Sequence, residues 1–181
     1  MADTTTNIAT SDDTLQVLRI VRGTSVDGPG LRTSVYLAGC THQCPGCHNQ
    51  QSWDFAGGET MTVDHLLAEI ADDDEDVTLT GGDPMQHPTG VLKLARRIKE
   101  ELHRSLWCFT GYRWEQLLAD EKMRHMLDYI DVVVDGEFVM AKRDIKLRFR
   151  GSSNQRLIDV KKSLAAGHAI EWADDAAPIF P

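Results

Sequence analysis

Three cysteines of this 181-residue chain, Cys40, Cys44 and Cys47, fall within eight positions, and a fourth, Cys108, stands apart. Thiolates are soft ligands that suit zinc and iron–sulfur centres. Most cubane clusters take four cysteines, so three would leave one iron open to an exogenous molecule. A disulfide framework would instead spread its cysteines over a small secreted chain. The spacing therefore predicts a metal centre on a single loop.

Structural zinc is the alternative for this loop, with His42 or His48 as the fourth ligand. Zinc sites usually present two pairs of ligands separated by a spacer, and the sequence has no second pair. Pro45 and Gly46 permit a tight turn and a close approach of the backbone to whatever the loop holds. Cys108 lies in a predicted strand, where free cysteine is commonly a buried packing residue. These points favour an iron–sulfur cluster with three protein ligands.

Strands and helices alternate along the chain and must position this loop. We predict strands over 15–21, 33–38, 77–80, 106–109 and 131–134. Periodic apolar residues predict helices that begin after the N-cap Thr62, over 91–102, and over 114–129 with a break near Asp120. Repeated strand–helix units imply parallel strands. A complete eightfold barrel needs about 250 residues, so we predict an α/β fold, an open partial (β/α) barrel of mostly parallel strands.

Chemically distinctive residues follow four of the predicted strands. The cysteine loop follows the second, and the Gly81-Gly82-Asp83 turn follows the third. Thr110 and Asp135 follow the next two. The carboxyl ends of parallel strands share one edge, where α/β folds place their active sites. The sequence therefore predicts one composite site.

The bulk composition limits the possible partners. The formal net charge is −9, which opposes binding to a phosphate backbone, so we expect no nucleic-acid partner. No stretch approaches the roughly 20 apolar residues of a membrane span, and the N-terminus lacks the pattern of a secretory signal. We therefore expect a cytoplasmic protein without a membrane partner. A basic run is interpreted as solvated surface, with a docking face for an anionic partner as the alternative; it comprises Lys142, Arg143, Lys146, Arg148 and Arg150.

The ends of the chain differ in composition from its centre. Residues 1–13 are rich in Thr and Asp and predict a disordered leader. Residues 169–181 predict an acidic tail. The core domain is predicted over 14–168.

Six ordered segments between about residues 26 and 156 carry a resemblance to a known family. They are VDGPGLR (26–32), AGCTHQCPGCHN (38–49), TGGDP (80–84), TGY (110–112), VDGEF (134–138) and RGSSNQ (150–155). With this set the chain resembles radical S-adenosylmethionine (SAM) enzymes. Among these it is most similar to the glycyl-radical-enzyme activases that serve the anaerobic ribonucleoside-triphosphate reductase. The cysteine spacing alone indicates only the superfamily, whereas RGSSNQ is far more specific.

The resemblance implies a fold of the radical-SAM type and two cofactors. Cys40, Cys44 and Cys47 would bind a [4Fe–4S] cluster, and the amino and carboxylate groups of SAM would chelate its open iron. The other implied cofactor contacts are Gly46, Cys47 and His48 on the nucleoside, and Gly81, Gly82 and Asp83 on the methionine ammonium.

The resemblance also implies protein partners. The radical would remove hydrogen from a backbone glycine of the anaerobic ribonucleoside-triphosphate reductase, with reduced flavodoxin or a similar carrier as electron donor. Some activases hold a monovalent cation, for which Thr110 and Asp135 are candidate ligands. Phe109 stands where such sites have another Asp, which favours a helix cap at Thr110 and a turn at Asp135 instead. The residues assign no role to the turn before Arg32 or to the segment 150–155.

Two other functions compete with the activase. A different small radical enzyme, such as one that builds a deazaguanine, would also have a short chain and three cysteines, but the RGSSNQ segment argues against it. A non-catalytic metal-binding adaptor would leave the Gly-Gly-Asp-Pro turn without a purpose.

Overall fold

The computed structural model describes residues 13–173, which contain a seven-stranded mixed sheet and five α-helices. The strands are β1 (Thr14–Thr24), β2 (Arg32–Leu37), β3 (Glu59–Thr62), β4 (Asp76–Gly81), β5 (Leu106–Phe109), β6 (Val132–Asp135) and β7 (Arg156–Asp159). The helices are α1 (Val63–Ala71), α2 (Pro88–Arg97), α3 (Trp114–Ala119), α4 (Glu121–Met126) and α5 (Val160–Ala166). Most of the predicted leader, and the tail from residue 174 onward, lie outside the described residues.

The sheet is parallel in its middle and antiparallel at both sides. Its order is β3-β1-β2-β4-β5-β6-β7, and the pairs β2–β4, β4–β5 and β5–β6 are parallel. The pairs β1–β2, β1–β3 and β6–β7 are antiparallel. The predicted α/β class with a parallel centre is confirmed. The four central strands bring their carboxyl ends to one edge, beside the loops that carry the distinctive residues.

Predicted elements with clear periodicity are confirmed. Helix α1 begins after Thr62, whose side chain accepts a hydrogen bond from His65 N, and it buries Val63, Leu66, Leu67 and Ile70. The predicted break near Asp120 separates α3 from α4, and Asp120 caps α4. Strands β3 and β7 and helix α5 are additional elements that the sequence did not predict. They extend the sheet on both sides of its parallel centre.

The two faces of the sheet differ in what covers them. The helices pack on one face, where Leu37, Leu79, Cys108 and Val133 are all fully buried. A smaller aromatic cluster covers part of the other face and contains Trp107, Val132, Val134, Phe149 and Leu157, with Trp172 packed against it. Cys108 is thus a buried core residue on the helix side, as predicted. No helix of the described residues has both the length and the apolar character to cross a membrane.

Arg32 is fully buried at the amino edge of the sheet, opposite the cysteine loop. Its Nε donates to Thr78 Oγ1 at 2.8 Å, and its Nη2 donates to the carbonyls of Val77 at 2.6 Å and Ser105 at 3.2 Å. Its guanidinium also lies 5.4 Å from the ring centroid of Trp107. Burial lowers the pKa of Arg32 to about 10, so the group stays charged at neutral pH. Arg32, the first residue of β2, therefore joins the start of β4 and the residue before β5.

Replacing Arg32 with lysine should lower the free energy of unfolding by about 2 kcal/mol, because an ammonium cannot serve these separate acceptors at once. Urea unfolding followed by circular dichroism measures the change. Arg22→Lys is the matched control, since Arg22 pairs with Glu69 at the surface and should lose less than about 1 kcal/mol. Equal losses in the two variants would contradict a structural role for the buried guanidinium.

Candidate functional site

Four loops converge at the carboxyl edge of the central strands and enclose a pocket of about 140 Å³. The cysteine loop follows β2, and the other loops follow β4, β5 and β6. Predicted site residues that line the pocket are Cys40, Cys44, Cys47, Gly81, Gly82, Asp83 and Thr110. The structure therefore brings together residues more than 60 positions apart in the sequence. The predicted composite arrangement is present.

Backbone hydrogen bonds fix the start of the cysteine loop. Gly39 N donates to Ser52 O at 2.7 Å, and Cys40 N donates to Trp53 O at 3.2 Å. Asp83 N donates to Gly39 O at 2.9 Å, which ties the loop to the end of β4. All four cysteines have free thiols.

Backbone N–H groups point at the three clustered sulfurs. Cys47 Sγ accepts from Asn49 N at 3.4 Å. Burial raises the pKa of the Cys40 and Cys44 thiols, while amide hydrogen bonds from His42 and Phe138, respectively, act in the opposite direction by stabilising the thiolates. Such amide–sulfur bonds are typical of iron–sulfur sites, where they tune the bound cluster. The three cysteine sulfurs, with the amide groups that point at them, therefore fit a cluster with three thiolate ligands.

His42 does not have a ring nitrogen to offer a metal. Its Nε2 lies 2.8 Å from Asp83 Oδ2, and its Nδ1 lies 3.2 Å from Glu137 Oε1. Hydrogen bonding to Asp83 raises the pKa of His42. The ring also packs edge-on against Tyr112, with centroids 4.7 Å apart. The arrangement of His42 does not favour zinc with this residue as the fourth ligand.

The carboxylate of Asp83 is fully buried and joins three of the loops. Its Oδ2 accepts hydrogen bonds from His42 Nε2 at 2.8 Å, Thr110 Oγ1 at 3.0 Å and Gly111 N at 3.0 Å. Its Oδ1 accepts from Met85 N at 3.0 Å. Four protein donors thus surround one carboxylate. Asp83 holds the cysteine loop, the loop after β5 and its own turn in register.

The two glycines before Asp83 permit a close approach of backbones. Gly81 has φ +97°, and a Cβ there would lie 2.6 Å from the backbone of Leu37. A Cβ on Gly82 would collide with the carbonyl oxygen of Gly39. A side chain at Gly81 would therefore push the turn away from β2, and a side chain at Gly82 would push it away from the cysteine loop. Packing alone therefore requires glycine at both positions.

Residues 137–149 after β6, which we call the strap, lie against the cysteine loop. Phe138 donates its backbone N–H to the Cys44 sulfur, and its ring lies 5.7 Å from that of His48. The terminal methyl of Met140 packs over Gly46, only 2.5 Å from where a Cβ would stand there. The strap thus covers the loop that carries the three thiols.

The segment 150–155, which had no role in the sequence interpretation, anchors the strap. Gln155 Nε2 donates to Gly136 O at 3.0 Å, and Asn154 Nδ2 donates to Glu137 O at 2.9 Å. Ser152 Oγ accepts from Val139 N at 3.2 Å. The two residues in each of these contacts are separated by between 13 and 19 positions in the sequence. No local sequence pattern could therefore have revealed them.

The two candidate cation ligands have protein partners. Asp135 accepts hydrogen bonds from Arg156, whose Nε lies 3.0 Å from Oδ1, and from Trp114 N at 2.8 Å. Thr110 Oγ1 donates to Asp83 and accepts from Tyr112 N at 3.1 Å. Asp135 therefore caps α3 and neutralises Arg156. The sequence alternative to a cation was a helix cap at Thr110 and a turn at Asp135, whereas in the structure Asp135 accepts from the first residue of α3 and Thr110 accepts within its own turn.

A second cavity of about 380 Å³ adjoins the cysteine pocket. The two share the wall formed by Asn49, Thr80 and Phe109. His48 lines this second cavity. The other side of the cavity is formed by strap residues Arg143, Asp144, Ile145, Leu147 and Phe149. A ligand that extends from the cysteine pocket would enter this space.

A family model and two curated relatives match most of this chain. A family model described as a 4Fe-4S single cluster domain matches residues 26–158. The anaerobic ribonucleoside-triphosphate reductase-activating protein of Vibrio cholerae is 40% identical over 140 residues, which cover 72% of this chain and 88% of the relative. The protein of the same name from Escherichia coli K12 is 39% identical over 140 residues, covering 72% and 89%. Among solved structures, QueE from Escherichia coli aligns with a TM-score of 0.46 at 19% identity, over 54% of this chain and 52% of QueE.

Proposed function

This chain belongs to the family of anaerobic ribonucleoside-triphosphate reductase-activating proteins, and we propose that it places a glycyl radical on such a reductase. It does so with a [4Fe–4S] cluster and SAM. The observation that carries the proposal is the pocket at the carboxyl edge, where three free thiols face the Gly81–Asp83 turn in a chain about 40% identical to named activating proteins.

Cys40, Cys44 and Cys47 would hold the cluster. Amide hydrogen bonds already point at their sulfurs, and His42 keeps both ring nitrogens on carboxylates. The open iron would then be the place where SAM binds. When bound, these cofactors supply a one-electron cleavage of SAM to methionine and a 5′-deoxyadenosyl radical, which removes hydrogen from a glycine of the partner.

The residues of the chain bind and orient the cofactor. Gly46, Cys47 and His48 are proposed to contact the nucleoside through their backbone. Gly82 is proposed to contact the methionine ammonium, because glycine lets a carbonyl approach closely. Asp83 supports this turn from the buried side, since four protein donors already surround its carboxylate.

We propose that the 5′-deoxyadenosyl radical meets the target glycine in the second cavity, which we call the radical chamber. It lies beside His48 and the cysteine pocket, and the aromatic ring of Phe109 forms part of its wall. We infer that the central strands with this cavity correspond to an open partial barrel of the radical-SAM type. The reaction needs no general base, and no acid–base pair is assigned.

The electron donor is proposed to be reduced flavodoxin or a similar carrier. Free thiols at all four cysteines suit the reducing conditions of the cytoplasm, where we place the activity. The identity to named activating proteins does not favour an enzyme that acts on a small molecule.

An anaerobic reconstitution tests the proposed function. The loaded protein should show broad brown absorbance that bleaches with dithionite, and it should form 5′-deoxyadenosine when SAM is added. Mixed with the reductase, it should produce a glycine-centred doublet in electron paramagnetic resonance. Colourless protein with one tightly held zinc per chain would overturn the proposal. Turnover without any partner protein would favour the small-molecule enzyme.

A further inference from the structure

The outer face of the strap is exposed and carries both apolar and basic side chains. Ile145 is 84% exposed and Met140 is 53% exposed, although both are large and apolar. The strap, residues 137–149, contains four basic residues and two acidic residues in a chain whose net charge is −9. Within the described part of the chain, Lys142 and Lys146 have no ion-pair partner. The strap thus differs in charge from the protein as a whole.

The position of this face links it to the radical chamber. The strap also contacts the cysteine loop, through Phe138 and through the terminal methyl of Met140, a side chain that is otherwise half-exposed. Further along, Ile145 and Leu147 line the second cavity. Val26, which is 70% exposed, lines the same cavity. A polypeptide that enters the chamber between Val26 and the strap would contact both.

The strap is also held firmly enough to serve as a docking surface. Ser153 N donates to Lys142 O at 2.9 Å, and Arg143 pairs with Ser152 in an isolated β-bridge. Asn154 and Gln155 fix its first residues. A pre-ordered surface loses less conformational entropy when a partner binds.

We propose that the strap and Val26 form the docking surface for the partner segment that bears the target glycine, and that this segment has acidic residues flanking an apolar stretch. Lys142 and Lys146 would attract the acidic flank, while Ile145 would contact the apolar part. The proposal rests on the proposed function and adds to it the surface and the chemistry of the partner. Complementary charges of this kind raise association rates and fix the orientation of binding.

Charge reversal tests the surface. The double variant Lys142→Glu with Lys146→Glu should weaken binding to the reductase by roughly tenfold or more at low salt. The yield of glycyl radical with dithionite as reductant should fall at limiting enzyme and recover at high enzyme concentration. The wild-type affinity should decrease with added salt, and the variant should show a smaller dependence.

The matched control is Lys122→Glu with Lys161→Glu, which makes the same change in charge at exposed positions on the helix side. It should bind the reductase as the wild type does. Both double variants should form 5′-deoxyadenosine at the wild-type rate in the absence of reductase. Failure of the wild type to form it would contradict the proposed function itself, which separates the two tests.

Three results would overturn the docking proposal. The first is unchanged affinity in the strap variant. The second is a loss of 5′-deoxyadenosine formation in that variant without the partner, which would mean that the strap acts on the cofactor site. The third is a defect seen only when flavodoxin replaces dithionite, which would assign the surface to the electron donor.

Discussion

Replacing Cys44 with serine should abolish the brown absorbance of the reconstituted protein and reduce 5′-deoxyadenosine formation by more than about 100-fold. Changes to groups that only support metal ligands already cost 10- to 100-fold, and this change removes one of three ligands. Cys108, the one cysteine outside the loop, is fully buried on the helix side of the sheet, so it does not replace Cys44. Iron and sulfide analysis with the visible spectrum measures the loss.

Cys108→Ala is the matched control, because Cys108 is fully buried in β5 on the helix side of the sheet. It should keep full iron content and cost about 1 kcal/mol of stability, through the small cavity that the sulfur leaves. A colourless Cys108→Ala protein would mean that the structure assigns this thiol to the wrong environment. A Cys44→Ser protein with intact absorbance would contradict the three-cysteine cluster.

The parts of the fold that the sequence predicted are those with a local signal. Helix α1 has apolar residues at helical spacing after a threonine cap, and β5 is a short apolar run whose predicted bounds match the structure. Strand β3 has only four residues, of which one is buried. It forms because it pairs with β1, more than 40 residues earlier. A short strand whose partner is distant leaves no periodicity to detect.

The same distinction applies to the site. The cysteine loop and the Gly-Gly-Asp-Pro turn could be placed together because each follows a strand of one parallel sheet. The role of Gln155 could not, since its amide reaches the backbone of Gly136 across 19 positions. Nor could composition show that Arg32 is buried at the amino edge of the sheet. Side-chain-to-backbone contacts over such distances depend on the finished fold.

Replacing Asp83 with alanine should lower the free energy of unfolding by about 4 kcal/mol, since it leaves four donors without their acceptor. The loop after β5 and the cysteine loop would lose their common anchor. Asp83→Asn keeps the shape and one acceptor oxygen, so it should lose about half as much. Urea unfolding of the protein before cluster loading measures both values without any contribution from the cofactor.

Asp54→Ala is the control for these variants, because Asp54 is exposed and its carboxylate accepts one local hydrogen bond, from Ala56 N at 2.9 Å. It should cost less than about 1 kcal/mol. The kinetics of the loaded Asp83→Asn protein then separate two roles. A positioning role predicts a loss in stability with a moderate rise in the KM for SAM. A direct contact with the ammonium predicts a large rise in KM and near-normal stability, and that outcome would contradict the buried network as the main role of Asp83.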